Sequence, residues 1–256
     1  MKRLYVFIFC SLFMTHIFAQ RENVSANEQN KLTRTEKKEG WKLLFDGKTF
    51  KGWRGINLKT MPDRGWVTEN GEIVNNASDG AESGNGGDII TKKQYASFEL
   101  RWEWKMITEG GNSGVKYFVK EGLSQNSKYG VGLEYQILDD ENHSWMLSGK
   151  MKPNDFHTLG SVYEIFPATN KTPNPLKNWN HSRLVCKGMH VEHWLNGIKV
   201  LEYERGSDEF RTKVKESKFK KFENFGEAEQ GHILLQDHGN KVHFRNIKIR
   251  KLKDVN

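Results

Sequence analysis

Residues 97–106 alternate without interruption. Phe98, Leu100, Trp102, Trp104 and Met106 are apolar, while Ser97, Glu99, Arg101, Glu103 and Lys105 are polar. Successive side chains of a strand point to opposite sides of a sheet, so this period of two predicts a strand with one greasy and one charged face. The pattern returns at Val115, Tyr117 and Val119 after the turn-rich Gly110-Gly-Asn-Ser-Gly114. It returns again at Leu133, Tyr135 and Ile137, which leaves Glu134 and Gln136 on the opposite face. Residues 190–195 and 198–203 flank Asn196-Gly197, a hairpin signal because both positions readily take positive φ. Residues 231–236 and 241–252 supply two more strands around Asp237-His-Gly-Asn240, and only residues 207–225 suit a short helix. Many antiparallel strands with tight turns predict an all-β fold, a sandwich or jelly roll of two antiparallel sheets. The predicted core includes Phe98, Leu100, Trp102, Trp104, Tyr135 and Ile137.

The chain has 256 residues, a length that one all-β domain can occupy. Aromatic residues make up 12%, with 8 Trp, which is enough large rings for a core despite a hydrophobic share of only 36%. Disordered, collagen-like and polytopic membrane chains are thereby excluded. The net charge of +8 comes from 40 Lys and Arg interleaved with 32 Asp and Glu. Cations dispersed in this way do not predict a nucleic-acid partner.

Lys2 and Arg3 precede an apolar run at residues 4–13, and Ala19 is small. This is the pattern of a secretory signal peptide over residues 1–19, too short for a membrane span, and it predicts a secreted or periplasmic protein. Cleavage there removes Cys10 and leaves Cys186, which reads as a small buried hydrophobe without an internal disulfide partner. Residues 20–39 are polar, lack aromatics and read as a tether. Residues 40–252 form the single domain, and residues 253–256 a tail.

Most compact catalytic motifs are absent. No glycine-rich phosphate loop joins a strand to a helix, and Gly84-Asn-Gly-Gly87 reads as an ordinary loop. No zinc spacing or Gly-x-Ser-x-Gly elbow occurs, and His190 and His193 point to opposite faces of a strand. Scattered groups remain. Glu134 shares a face with Gln136, and His232, Leu234 and Gln236 share another, which His238 joins if that strand continues. Asp237 then turns the other way, toward the backbone of the turn. Trp194 suits either a stacking platform for a sugar ring or the core.

Several ordered motifs point to a family. Gly40-Trp-Lys-Leu-Leu-Phe-Asp-Gly47, Gly52-Trp53, Asp88-Ile-Ile-Thr91, Phe98-Glu-Leu-Arg-Trp-Glu-Trp-Lys105 and Gly111-Asn-Ser-Gly114 are followed by Leu133-Glu-Tyr-Gln-Ile-Leu-Asp139 and Trp179-Asn180. His193-Trp-Leu-Asn-Gly197, Leu235-Gln-Asp-His-Gly239 and Phe244-Arg-Asn-Ile247 complete the series. Together they resemble the 3-keto-disaccharide hydrolase family over nearly the whole domain. The chain departs from the family at Gly160-Ser-Val-Tyr-Glu164, where Tyr163 is retained.

The resemblance implies a concanavalin-like jelly roll that cleaves 3-keto-glycosides by elimination, with or without hydration. A ketone at C3 acidifies the C2 hydrogen, a base removes it, and the enolate expels the C1 substituent. A separate oxidoreductase would supply the keto sugar. On this reading Glu134 or His238 transfers the proton, and Gln136 and Gln236 orient sugar hydroxyls. Lys105 or Arg245 stabilises negative charge, with Glu103 and Tyr163 around the same pocket. A divalent metal between Glu134 and His238 is an open expectation, without a compact ligand motif. Two other readings stand beside it: a noncatalytic carbohydrate-binding domain, and a conventional glycosidase using Glu103 and Glu134 as its two carboxylates.

Overall fold

Alternating segments become strands wherever one side can be buried. In the computed structural model, which describes residues 29–78 and 81–253, there are thirteen strands and three short α-helices. The expected leader and the start of the tether lie outside the described residues. The strands are β1 Lys42–Leu43, β2 Trp53–Gly55, β3 Trp66–Glu69, β4 Glu72–Asn75, β5 Ile89–Thr91, β6 Phe98–Met106 and β7 Asn112–Lys120. They continue with β8 Val131–Leu138, β9 Asn180–Lys187, β10 His190–Leu195, β11 Ile198–Glu204, β12 His232–Leu235 and β13 Val242–Lys251. All pairings between them are antiparallel. The large sheet runs β11-β10-β9-β6-β13-β4-β3, with β1 also on β13, and the small sheet runs β2-β5-β12-β7-β8. The fold is an all-β jelly-roll sandwich.

The core lies between the sheets. Phe98, Leu100, Trp102, Trp104 and Met106 face inward from β6, opposite Val115, Tyr117, Leu133, Tyr135 and Ile137. Each is at most 3% exposed, and the Trp102 and Tyr135 rings meet edge to face with centroids 5.0 Å apart. Cys186 is buried in the same cluster, where loss of hydration pushes its thiol pKa up and leaves it inert.

Asn196 and Gly197 take φ of 48° and 85° and join β10 to β11, as the hairpin signal predicts. The expected helix is α3, Asp208–Glu216, capped by the Ser207 hydroxyl and followed by a 3₁₀ turn at Lys218–Lys221, while α2, the single turn Ser144–Leu147, falls outside the expected helical stretch.

Three features depart from the sequence reading. Phe118 has φ of 52° at a register shift in β7, a bulge that sends Phe118 into the core and Val119 to the outer face beside Ile90 and Leu234. Strand β12 ends at Leu235, so Gln236 and His238 stand on the loop beyond it. Residues 29–39 dock on the large sheet and include α1, Arg34–Lys38. Asn30 exchanges hydrogen bonds with Asn246 at 2.6 and 2.9 Å, and Glu36 pairs with Lys248. Polar contacts hold this segment, so a search for apolar residues misses it.

Candidate active site

Strands β7 and β8 set Lys116 directly opposite Glu134 and Gly114 opposite Gln136, all on the outer face of the small sheet. Val115, Tyr117, Leu133 and Tyr135 take the inner face, and alternation forces their neighbours outward. A Cβ at Gly114 would come within 2.4 Å of Glu134 Oε1, so the glycine leaves room for the carboxylate to lie over the sheet.

Lys116 is wholly buried. Its Nζ donates to the Gly130 carbonyl at 3.2 Å, lies 3.7 Å from Glu134 Oε2 and 3.9 Å from Asp88 Oδ2, and sits 3.8 Å over the Tyr129 ring. Burial opposes the charge, but the Tyr129, Glu134, Asp88 and Glu82 oxygens around it raise its pKa, so the ammonium stays charged. Burial likewise raises the Glu134 pKa, against the pull of Lys116. Burial lifts Asp88 to about 7 despite Lys116 and hydrogen bonds from the backbone N–H groups of Gly130 and Asp237.

The loop after β12 folds back over this pair. Gln236 N donates to the Gly114 carbonyl at 3.0 Å, and its Nε2 donates to Glu82 Oε1 at 3.0 Å. Gln136 Nε2 donates to Asn112 Oδ1 at 3.3 Å, which turns Asn112 Nδ2 toward His238 Nε2 at 3.2 Å. That donor makes Nε2 the acceptor and puts the proton of the neutral ring on Nδ1. Burial lowers the His238 pKa and favours this neutral form. Asp237 does bind the turn backbone, accepting from Asn85, Gly87 and Gly239, which fixes residues 84–87 as a loop.

Gln136 Oε1, Gln236 Oε1 and His238 Nδ1 are all buried without a hydrogen-bond partner. Leaving such groups unpaired costs about 1–3 kcal/mol each, so three together mark a place built for a polar ligand. Tyr163 stands at the edge, its N–H donating to the Glu134 carbonyl at 3.1 Å. From there His157, Trp145 and His143 form an edge-to-face wall, with centroids 5.1, 5.6 and 5.8 Å apart along the series. A cleft of about 610 Å³ opens between Glu82, Tyr129, Lys218 and Phe222, with the Lys218 ammonium 4.3 Å over the Tyr163 ring.

Glu134, Gln136, Gln236 and His238 therefore share one face with Tyr163 beside them, while four other candidates do not join them. Glu103, Lys105 and Arg245 lie on the outer face of the large sheet. There Glu103 accepts from Arg245 at 2.6 Å, and both Lys105 and Arg245 lie over Trp179. Trp194 stands on that same face, its indole N–H donating to Glu192 and the Arg183 guanidinium over its ring. Alternation tells which residues share a strand face; it does not tell which sheet that face belongs to. Glu103 and Glu134 are thus on opposite sides of the sandwich and cannot flank one groove as a glycosidase pair.

Lys116, Glu82, Asp88 and Asn112 were missed in the sequence. Lys116 carries a signal in retrospect, since it lies between Val115 and Tyr117 and alternation points it outward like Glu134. A divalent ion between Glu134 and His238 fits this donor set poorly, because the Lys116 ammonium already stands beside the carboxylate. The one cluster of three closely spaced ligand atoms among the described residues, His190, Glu192 and Glu202, is on the other sheet.

Relatives agree with the fold. A 3-keto-disaccharide hydrolase of Bacteroides thetaiotaomicron is 34% identical over 251 residues, spanning 90% of this chain and 85% of that protein. A glycosyl-hydrolase-like structure from Parabacteroides distasonis superposes with a TM-score of 0.76 at 37% identity, covering 88% of this chain and all of that one. A second from the same organism gives 0.60 at 28% identity, covering 83% of this chain and 99% of its own. Residues 40–250, which hold every strand of both sheets except the last residue of β13, match one family throughout: the chain belongs to the 3-keto-alpha-glucoside-1,2-lyase-like domain family.

Proposed function

We propose that the protein is a secreted enzyme that cleaves the glycosidic bond of 3-keto-glycosides, 3-keto-disaccharides among them, by elimination at C1–C2. The observation that carries this reading is the cluster of unpartnered Gln136, Gln236 and His238 atoms beside the buried Lys116–Glu134 pair. Membership of the family and the named Bacteroides relative support a carbohydrate substrate carrying a ketone.

In the proposed reaction the Glu134 carboxylate takes the C2 proton. Its raised pKa makes it a stronger base than an exposed glutamate. The C–H electrons move into the C2–C3 bond and charge develops on the C3 oxygen. In this reading the Lys116 ammonium and the His238 Nδ1–H receive that charge, the role that sequence reading gave to Lys105 or Arg245. Collapse of the enolate breaks the C1–O bond, and Glu134, now a carboxylic acid, can return its proton to the leaving oxygen. Gln136 and Gln236 bind ring hydroxyls through their free carbonyl oxygens. Water adding across C1–C2 makes the net outcome hydrolysis; release of the unsaturated sugar makes it a lyase.

Two further elements of the proposal rest on sequence and chemistry. The leader pattern at residues 1–19 supports export to the periplasm or beyond, and no helix among the described residues is long and apolar enough to cross a membrane. The ketone needs a separate oxidoreductase upstream. Turnover of a 3-keto-glycoside should exceed that of the parent glycoside by orders of magnitude. Equal rates on the two would reject elimination, and binding without turnover of either would favour a noncatalytic domain.

A further inference from the structure

The charged outer face of the large sheet holds a second recess that the proposed reaction leaves unused. A groove of about 350 Å³ opens across β6, β9, β10 and β13, bordered by Arg101, Arg183, His181, Lys248 and Trp194. Three guanidinium groups, from Arg101, Arg183 and Arg250, converge on one buried carboxylate, Glu99, at 2.8, 2.7 and 2.6 Å. Arg250 has a second partner in Glu39 at 3.0 Å, and Lys248 pairs with Glu36. Arg101 and Arg183 are left to share Glu99, although their side chains remain 42% and 34% exposed.

The other carboxylates beside the groove already have partners: Glu103 accepts from Arg245 at 2.6 Å and Asn246 at 2.8 Å, and Glu192, which accepts from Trp194, lies 3.6 Å from Lys199 Nζ. His181 lies 3.5 Å from Glu103 with its ring 62% exposed. Trp194 forms one wall, with the Arg183 guanidinium 4.6 Å from its ring centroid. At the tip of the adjoining hairpin Gly197 has open space around it, so the groove is not closed on that side.

We propose that this groove is a noncatalytic saccharide site for an acidic sugar, a uronate or sulfate ester. The guanidinium nitrogens of Arg101 and Arg183 that do not bond Glu99 offer planar donors to a carboxylate or sulfate, and their shared carboxylate leaves the pair with net positive charge. Trp194, half-buried at the groove wall, offers the sugar the part of its ring that the Arg183 guanidinium does not cover. The site lies across the sandwich from Glu134, on the other sheet, so its occupation is compatible with turnover. It would hold the enzyme on an acidic glycan, and it stands or falls independently of the reaction proposed above.

Calorimetric titration of the full chain with tetragalacturonate, a heparin-derived tetrasaccharide and neutral maltotetraose tests this. Either acidic probe, or both, should bind with a dissociation constant below about 1 mM that weakens with salt, with maltotetraose at least about tenfold weaker. Arg183→Ala combined with Trp194→Ala should weaken acidic binding by about tenfold or more while turnover of a small 3-keto-glycoside stays unchanged. Should that double variant fail to fold, Arg101→Gln at the more exposed position serves in its place. No binding of either acidic probe, equal binding of maltotetraose, or acidic binding lost on replacing Lys218 but not Arg183 would overturn the proposal.

Discussion

Lys116 and Glu134 face each other across the β7–β8 ladder, Nζ 3.7 Å from Oε2, with side chains only 1% and 4% exposed. Burying two charges costs several kcal/mol per ion, and their attraction offsets this only when other groups complete the site. Asp88 and the Gly130 carbonyl complete the lysine side, while on the other side lie amide and imidazole atoms still lacking partners. A merely structural pair would not need that second half. This is the physical ground for placing proton transfer and charge stabilisation here.

Lys116→Gln should lower kcat by about 100-fold, the scale for losing one donor to a developing oxyanion. It also removes the cation that draws the Glu134 pKa down, so the acidic limb of the kcat/KM profile should move to higher pH. An unmoved limb in a folded variant would contradict the pairing. Glu134→Gln should abolish that limb and cost about 100-fold or more.

Gly114→Ala is the geometric counterpart. The added methyl would meet the Glu134 carboxylate at 2.4 Å, and the flexible end of that side chain gives way more cheaply than backbone. Turnover should fall by about tenfold or more, equivalent to only ~1.4 kcal/mol, with little change in melting temperature. A large loss of stability with unchanged specific activity in the folded fraction would show that Glu134 does not need its present position.

The sandwich was legible because β6 and β8 turn apolar side chains to the core and polar ones to the outer face, so alternation at Trp102, Trp104, Tyr135 and Ile137 records the core directly. The grouping of Glu134 with Gln136 was legible for the same reason. The partner strand was not, since nothing in residues 131–138 says that Lys116 lies opposite. The Phe118 bulge carries no period-two signal, and it reverses the side taken by Val119. Glu103, Lys105, Arg245 and Trp194 failed as pocket residues because a polar face looks alike on either sheet. Asp88 and Asn112 come to the site from a strand approach and a strand start, positions where local pattern does not report a tertiary destination.

His193 couples stability to pH. Burial depresses its pKa from 6.5 to about 4, opposed by the hydrogen bond to the Gly160 carbonyl. The unfolded chain therefore binds the proton first, and this residue's contribution is lost as pH falls from 6.5 toward 4, by about 3 kcal/mol in all. Asp88 acts in the opposite sense, because its raised pKa makes the folded state the better proton binder between about 4 and 7. The two offset each other in the intact protein. Urea unfolding of His193→Gln should thus show a penalty that is larger at pH 7 than at pH 4.5; a pH-independent penalty would contradict a neutral buried ring.

Glu103→Gln should leave turnover within about twofold, the scatter expected of a change remote from the reacting atoms. Its ion pair with Arg245 is on the far sheet, so any effect should appear as a modest fall in melting temperature. A loss of 100-fold in rate would restore Glu103 to the chemistry and undo the division between the two faces.

Elimination itself is tested most directly by following the C2 hydrogen of a 3-keto-glycoside in deuterium oxide. The wild-type protein should incorporate deuterium at C2 of recovered substrate or hydrated product, and Glu134→Gln should suppress both incorporation and bond cleavage. Cleavage with the C2 hydrogen fully retained in the hydrolysed sugar would contradict removal of that proton by Glu134.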